Sequence, residues 1–193
     1  AGRATGIHTV TRVVRAQYPL VATALDAGSR GVMAPMVESA DEARTLVESS
    51  RYPPLGRRGF GVIMSDELEG GPAAAADRAN RDTFVIAQIE SAAGIEHADE
   101  ILSVPGVDAA WVGQFDLSLS LGCPGDVEHP RYVEAVDHLL GACRRNQKPL
   151  GQLVASAEAG ATAAAQGFQL LAFADVWVFE SALRAGVAAL RPG

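Results

Sequence analysis

Six short apolar runs, each followed by a helix-forming stretch, set the tightest limit on what this chain can fold into. The runs are His8–Val14, Arg30–Val37, Phe84–Glu90, Ala109–Gln114, Pro149–Val154 and Phe168–Asp175. Most are apolar at consecutive positions rather than at alternate ones, the pattern of strands buried on both faces. Strands of that kind joined through helices predict a parallel sheet covered by helices. Between them, "PLVATALDAG" predicts a helix stopping at Gly28. Ser39 and Glu42 form a capping-box pair ahead of Ala43, Leu46 and Val47. "SAAGIEHADEIL" reads as one helical segment, and Pro130 opens an amphipathic helix with Val133, Val136, Leu140 and Cys143 on one face. An Ala-rich helix and a last helix to Leu190 complete the series, while Arg51–Asn80 is mostly loop with one helix at "PAAAADRAN". Six strands suit a doubly wound open sheet or an eight-stranded barrel two β/α units short, and periodicity does not choose between them.

Composition narrows the function. At 193 residues and 48% hydrophobic, residues 1–193 suffice for a single well-packed domain. The formal charge is −7 and no run of Lys and Arg exists, which argues against nucleic acid as a partner. No apolar run approaches a membrane span and no signal-peptide pattern opens the chain. Cys123 and Cys143 are too few for a disulfide scaffold and read as reduced, structural thiols of a cytoplasmic protein.

Glu90 and Asp116 each close an apolar strand, 26 residues apart, or about one β/α unit. They should therefore lie on adjacent strands at the same end, where such folds bind ligands. Paired carboxylates with oxygen-rich neighbours suit a hard divalent cation such as Mg²⁺ or Mn²⁺. On spacing alone, a helix-capping and dipole role has the stronger claim for both. Arg12, in an otherwise β-branched strand, suits either an anion clamp or a strand-end salt bridge. "RYPPLGRRGFG", from Arg51 to Gly61, reads as a substrate-facing loop or as a rigid surface loop. Of the four histidines, His97 lies with Glu100 on a charged, solvated helix face and His138 is exposed. His129 stands at a helix start and His8 ahead of the first strand. The nucleophile-elbow, Walker and dinucleotide fingerprints do not occur.

Taken in order, "LDAGSRGVMAPMVESADEA", "RYPPLGRRGFG", "IAQIESAAGIEHADEILSVPGVDAAWVGQFDLSLSLGCPGD", "HPRYVEAV" and "GQLVA" resemble the HpcH/HpaI aldolase family of the phosphoenolpyruvate/pyruvate-binding barrels. The resemblance implies an α/β fold of the (β/α)8 TIM-barrel type, here incomplete, with about six β/α units. It implies a class II, metal-dependent pyruvate-type aldolase that cleaves a 2-keto-4-hydroxy acid to pyruvate and an aldehyde. Glu90 and Asp116 would hold the divalent ion, Mg²⁺ or Mn²⁺ with Co²⁺ as a further candidate. Arg12 would stabilise the enolate, Gln88 would lie beside the metal, and the N–H groups of Phe115 and Asp116 would take the pyruvate carboxylate.

Departures accompany the resemblance. Family members begin with two further β/α units that include a catalytic histidine in a "D.EHG" segment. This chain starts just before the family's third strand, and His8 is too close to Arg12 to be that histidine. Gln114 stands where the family has proline. Alternatives are citrate-lyase-like or citrate-synthase-like carbon–carbon chemistry, or a truncated remnant that binds metal and keto acid without turnover. A six-stranded remnant would expose two edge strands and part of its core, and so be marginally stable or need a partner. The family's C-terminal helix packs on a neighbouring subunit, which implies a homo-oligomer.

Overall fold

The computed structural model describes residues 6–61 and 69–190, so the stretch 62–68 of the expected loop lies outside the described residues. Six strands form one parallel sheet: β1 (Val10–Arg12), β2 (Gly31–Ala34), β3 (Phe84–Ile89), β4 (Ala109–Val112), β5 (Leu150–Val154) and β6 (Leu170–Phe173). Their spatial order is their sequence order, β1 to β6. That order settles the choice which periodicity left open. A doubly wound sheet reverses direction partway, which places helices on both faces. Right-handed crossovers that always step the same way keep every helix on one face and curl the other into a barrel interior. The fold is an open part-barrel of the TIM type, with β1 and β6 as its edges.

The helices among the described residues are α1 (Tyr18–Asp26), α2 (Ala40–Ser50), α3 (Gly71–Asp82), α4 (Ala92–Glu96), α5 (Ala98–Ser103), α6 (Gln114–Ser120), α7 (Pro130–Arg145), α8 (Ala157–Gln166) and α9 (Asp175–Leu190). The capping box forms as expected at Ser39, whose hydroxyl accepts the Glu42 N–H at 3.3 Å, while the Glu42 carboxylate accepts from the Glu38 N–H at 2.7 Å. The helix expected over "PAAAADRAN" is present as the longer α3. The segment read as one helix is two, α4 and α5, divided at His97. His97 is not on a solvated face: it is half-buried, and its Nδ1 lies 2.9 Å from the Glu38 carbonyl oxygen, tying this break to the start of α2.

Strand pleating sorts the core. Val32, Ala34, Val85, Ala87, Ile89, Ala110 and Val112 alternate onto the helix side and are essentially unexposed. Fully burying an Ile or Val contributes about 1.5–3 kcal/mol, so this layer supplies much of the stability. α7 buries Tyr132, Ala135, Leu139, Leu140, Ala142 and Cys143 against it. Val133, expected on the buried face, is 45% exposed, because the apolar stripe is centred about one residue further round the helix. Both cysteines are buried and free, and burial pushes the Cys143 thiol up to about 12, which keeps it unreactive.

The "RYPPLGRRGFG" loop begins at the opposite end of the sheet from Glu90. The buried Arg51 donates to the Thr83 carbonyl at 2.6 Å and to Asp108 at 3.2 Å, just ahead of β3 and β4. The buried Arg58 donates to Asp26 at 2.6 Å and lies 4.7 Å from the Tyr52 ring centroid. Within this chain Arg51 braces two strand starts and Arg58 braces α1.

Candidate active site

The inner sides of the strands line a trough of about 990 Å³, with Val10, Met33, Ile86, Trp111, Leu153 and Leu170 along its floor and walls. Gly151 is required beside Trp111, since a methyl group there would overlap the indole. At the C-terminal ends of the strands a second cavity of about 730 Å³ opens between the β1–α1 connection and α2. The residues that line both cavities are Arg12, Glu90 and Asp116. Three residues singled out from the sequence thus stand where the barrel interior meets its mouth.

Each arrives there by a different element. Arg12 is the last residue of β1, where the chain leaves the sheet and the long side chain can turn into the opening. Glu90 follows directly on β3. Asp116 does not end a strand: β4 stops at Val112, and Asp116 sits in the first turn of α6, a helix absent from the sequence reading. The continuous apolar text "AAWV…F.L.L" hid the change of period. A carboxylate in a first helical turn also meets the positive end of the helix dipole, so the dipole reading and the ligand reading of Asp116 coexist.

A hydrogen-bond chain joins the site. Arg12 Nε donates to Gln88 Oε1 at 3.1 Å, and Gln88 Nε2 donates to Glu90 Oε2. The other Glu90 oxygen accepts the Met36 N–H at 3.0 Å. Gln88 and Glu90 are buried, at 6% and 2% exposure, whereas Arg12 and Asp116 are exposed. Burial raises the Glu90 carboxyl above its ordinary range. The bonds from Gln88 and Met36 oppose that, the Asp116 charge adds to it and the Arg12 charge offsets it.

Two contributors escaped the sequence reading. Gly113 leaves room for Glu90: a side chain there would overlap the carboxylate and crowd the Gln88 amide. A glycine immediately after an apolar strand was a legible signal of close approach. Met36 holds φ at 53°, left-handed for a non-glycine residue, and in that conformation its N–H reaches Glu90. Nothing in the local text marked it. Phe115 is 50% exposed and lines the trough, meeting Trp177 of α9 edge-on at 6.0 Å. The exposed His8 also lines the trough, while His129 caps α7 by accepting the Arg131 N–H.

The donor set fits a hard divalent cation better than zinc. Among the described residues no group of three or more His, Cys, Asp and Glu converges, so a closed zinc-type cage is absent. Two carboxylates at an open junction, one buried and held by N–H donors, match the few-ligand, water-retaining sites of Mg²⁺ or Mn²⁺.

A curled parallel sheet with an arginine, an amide and two carboxylates at its C-terminal rim defines a site of the TIM-barrel enzyme kind. The family model of the HpcH/HpaI aldolase/citrate lyase family matches residues 1–176. A 2-keto-3-deoxy-L-rhamnonate aldolase of Escherichia coli O1:K1 / APEC is 31% identical over 188 residues, covering 96% of this chain and 70% of that protein. A hydroxypyruvate/pyruvate aldolase of Chromohalobacter salexigens is 39% identical over 167 residues, covering 84% of this chain and 65% of that one. The crystal structure of an HpcH/HpaI aldolase from Desulfitobacterium hafniense DCB-2 superposes with a TM-score of 0.89 at 33% identity, over 100% of this chain and 76% of the other. The chain belongs to the HpcH/HpaI aldolase/citrate lyase family, and its class is that of the pyruvate-type class II aldolases.

Proposed function

We propose that the site cleaves a 2-keto-4-hydroxy acid to pyruvate and an aldehyde through a pyruvate enolate. The observation that carries this reading is the shared rim: Arg12, Glu90 and Asp116 face one opening, with Gln88 bridging the first two. Glu90 and Asp116 would hold Mg²⁺ or Mn²⁺. When bound, such an ion polarises the keto group and lowers the free energy of enolate formation.

The chain's own groups bind and orient the keto acid. The Arg12 guanidinium would face the oxygen that gains negative charge as the C3–C4 bond breaks and the 4-hydroxyl passes its proton to water, leaving the C4 fragment as the aldehyde. Gln88 fixes Arg12 and Glu90 in register with each other, and its amide stands beside the keto acid. The N–H groups of Phe115 and Asp116, early in α6, have no partner within their own helix and would donate to the substrate carboxylate. The C3 carbon then takes a proton from water to give pyruvate.

A homo-oligomer forms part of the same reading. Val176, Phe179, Leu183, Val187 and Leu190 make an apolar stripe along α9, every one of them exposed, and the helix buries no residue. Covering it against a second copy would account for that stripe. The test of the reaction is exchange of the pyruvate methyl protons in D₂O, followed by NMR with Mg²⁺ or Mn²⁺. Metal-dependent exchange that disappears in Glu90→Ala and Arg12→Ala supports the enolate site. Its absence from folded, metal-loaded protein would leave only a binding role.

A further inference from the structure

We infer that His97 is a positioning residue for Glu90, acting through the turn that joins β2 to α2. This rests on the reading above in which the Glu90 carboxylate holds the cation. One oxygen of that carboxylate accepts from Gln88 Nε2 and the other from the Met36 N–H at 3.0 Å, so each keeps a lone pair for a ligand. Gln88 arrives on the same strand as Glu90, whereas Met36 belongs to a separate segment that must be brought up and held. Its φ of 53° is a conformation that any residue with a Cβ enters at a cost, so contacts outside Met36 must maintain it.

Those contacts come from two elements. From the sheet, the Gln88 carbonyl accepts the Val37 N–H at 3.1 Å. From the helix layer, the turn meets the break between α4 and α5. Gly94 of α4 lies so close to the turn that a Cβ there would stand 2.9 Å from the Val37 carbonyl oxygen. His97, at the break itself, places Nδ1 2.9 Å from the Glu38 carbonyl oxygen. A carbonyl oxygen only accepts, so Nδ1 carries the proton and donates. The imidazole is half-buried, which limits competition from water and strengthens the bond. Only Val37 lies between Met36 and Glu38, and its own N–H is tied to Gln88. Planar peptide units therefore leave little slack, and a shift of the Glu38 carbonyl reaches the Met36 N–H. Without the His97 bond the turn relaxes away from positive φ, and Glu90 loses the donor that fixes one of its oxygens.

Hydrogen exchange of the Met36 amide, followed by NMR in metal-free protein, tests the inference. The Ala110 amide, bonded to the Pro149 carbonyl at 3.0 Å between two inner strands, serves as the reference for global opening. His97→Leu and His97→Asp, neither able to donate, should each speed Met36 exchange about tenfold relative to Ala110. The Asp variant keeps a helix-capping side chain ahead of α5, which covers the case in which the Leu variant does not fold. His97→Asn, whose amide donates from nearly the same place, should stay within about twofold of the unsubstituted chain. Mn²⁺ affinity, read from the EPR signal of the free ion, should fall about fivefold in the Leu and Asp variants and hold in the Asn variant. Met36 exchange unchanged in a folded Leu or Asp variant, equal acceleration at Ala110, or the same acceleration in His97→Asn overturns the inference. So does unchanged Mn²⁺ affinity in those variants where Glu90→Ala abolishes binding. If Glu90→Ala binds Mn²⁺ as the unsubstituted chain does, the cation reading falls instead, and Met36 exchange alone decides the role of His97.

Discussion

The two faces of the sheet are made by alternate residues of the same strands, yet they do opposite work. On β3, Val85, Ala87 and Ile89 turn towards the helices and are wholly buried, while Ile86, Gln88 and Phe84 turn into the trough. The helix side is apolar and closely covered. The trough side carries the amide that links Arg12 to Glu90 and is open along its length. Stability is therefore concentrated on one face and chemistry on the other, separated by a single residue of register. A similar division appears between two sixteen-residue helices: α7 buries a continuous stripe and α9 buries nothing. Apolar content does not explain the second contrast. Among the described residues, packed neighbours cover one helix and not the other.

Substitution on the helix face should have the largest effect. Ile89→Ala is expected to lower unfolding free energy by about 2–5 kcal/mol, read by urea denaturation. Met33→Ala on the trough side, where water can fill the space, should cost about 1 kcal/mol or less. Equal losses would dissolve the distinction between the faces. Gln88→Ala comes next and should act in the other currency. It removes the link between Arg12 and Glu90, so pyruvate exchange should fall roughly 10- to 100-fold, with denaturation midpoint little changed. A large stability loss with intact exchange would assign Gln88 to the core instead.

The pH response of metal-free protein sharpens the same point with a smaller effect. Burial raises the folded-state Glu90 pKa, so the native state binds its proton more tightly than the unfolded chain does. Stability should then fall as pH rises from the ordinary Glu value through the raised one, with the full penalty present above it. Below both values the penalty vanishes. Glu90→Gln should abolish this part of the profile; an unchanged profile in denaturation titrations would show that Glu90 is not desolvated in solution. Smallest of all, Leu183→Ala on α9 should alter the stability of the isolated chain by no more than about 0.5 kcal/mol. Its effect should appear in sedimentation, as a shift towards lower mass; no shift would remove α9 from any oligomer contact.

Strand–helix alternation, the capping box at Ser39 and the Gly28 stop were legible because each is local. A hydroxyl three residues from an N–H, or a glycine after an apolar stripe, needs no distant neighbour to act. Strand ends were read too long, as at His8–Val14 against Val10–Arg12, since apolar text continues past the last ladder bond. Helix α6 was missed for the same reason. The ion pairs of Arg51 and Arg58 were not legible because their partners, Asp108 and Asp26, lie 57 and 32 residues away.

The sequence by itself determined that a parallel sheet would form and that Glu90 and Asp116 belong to its C-terminal rim, because periodicity and β/α spacing follow from backbone geometry. The resemblance to aldolases added a chemistry for them. Tertiary structure alone decided that strand order runs without reversal, that Met36 turns left-handed to reach Glu90, and that Gly113 clears its carboxylate. Those outcomes depend on which strand lies beside which, and hydrogen bonds and van der Waals contacts act over a few ångströms whatever the distance along the chain.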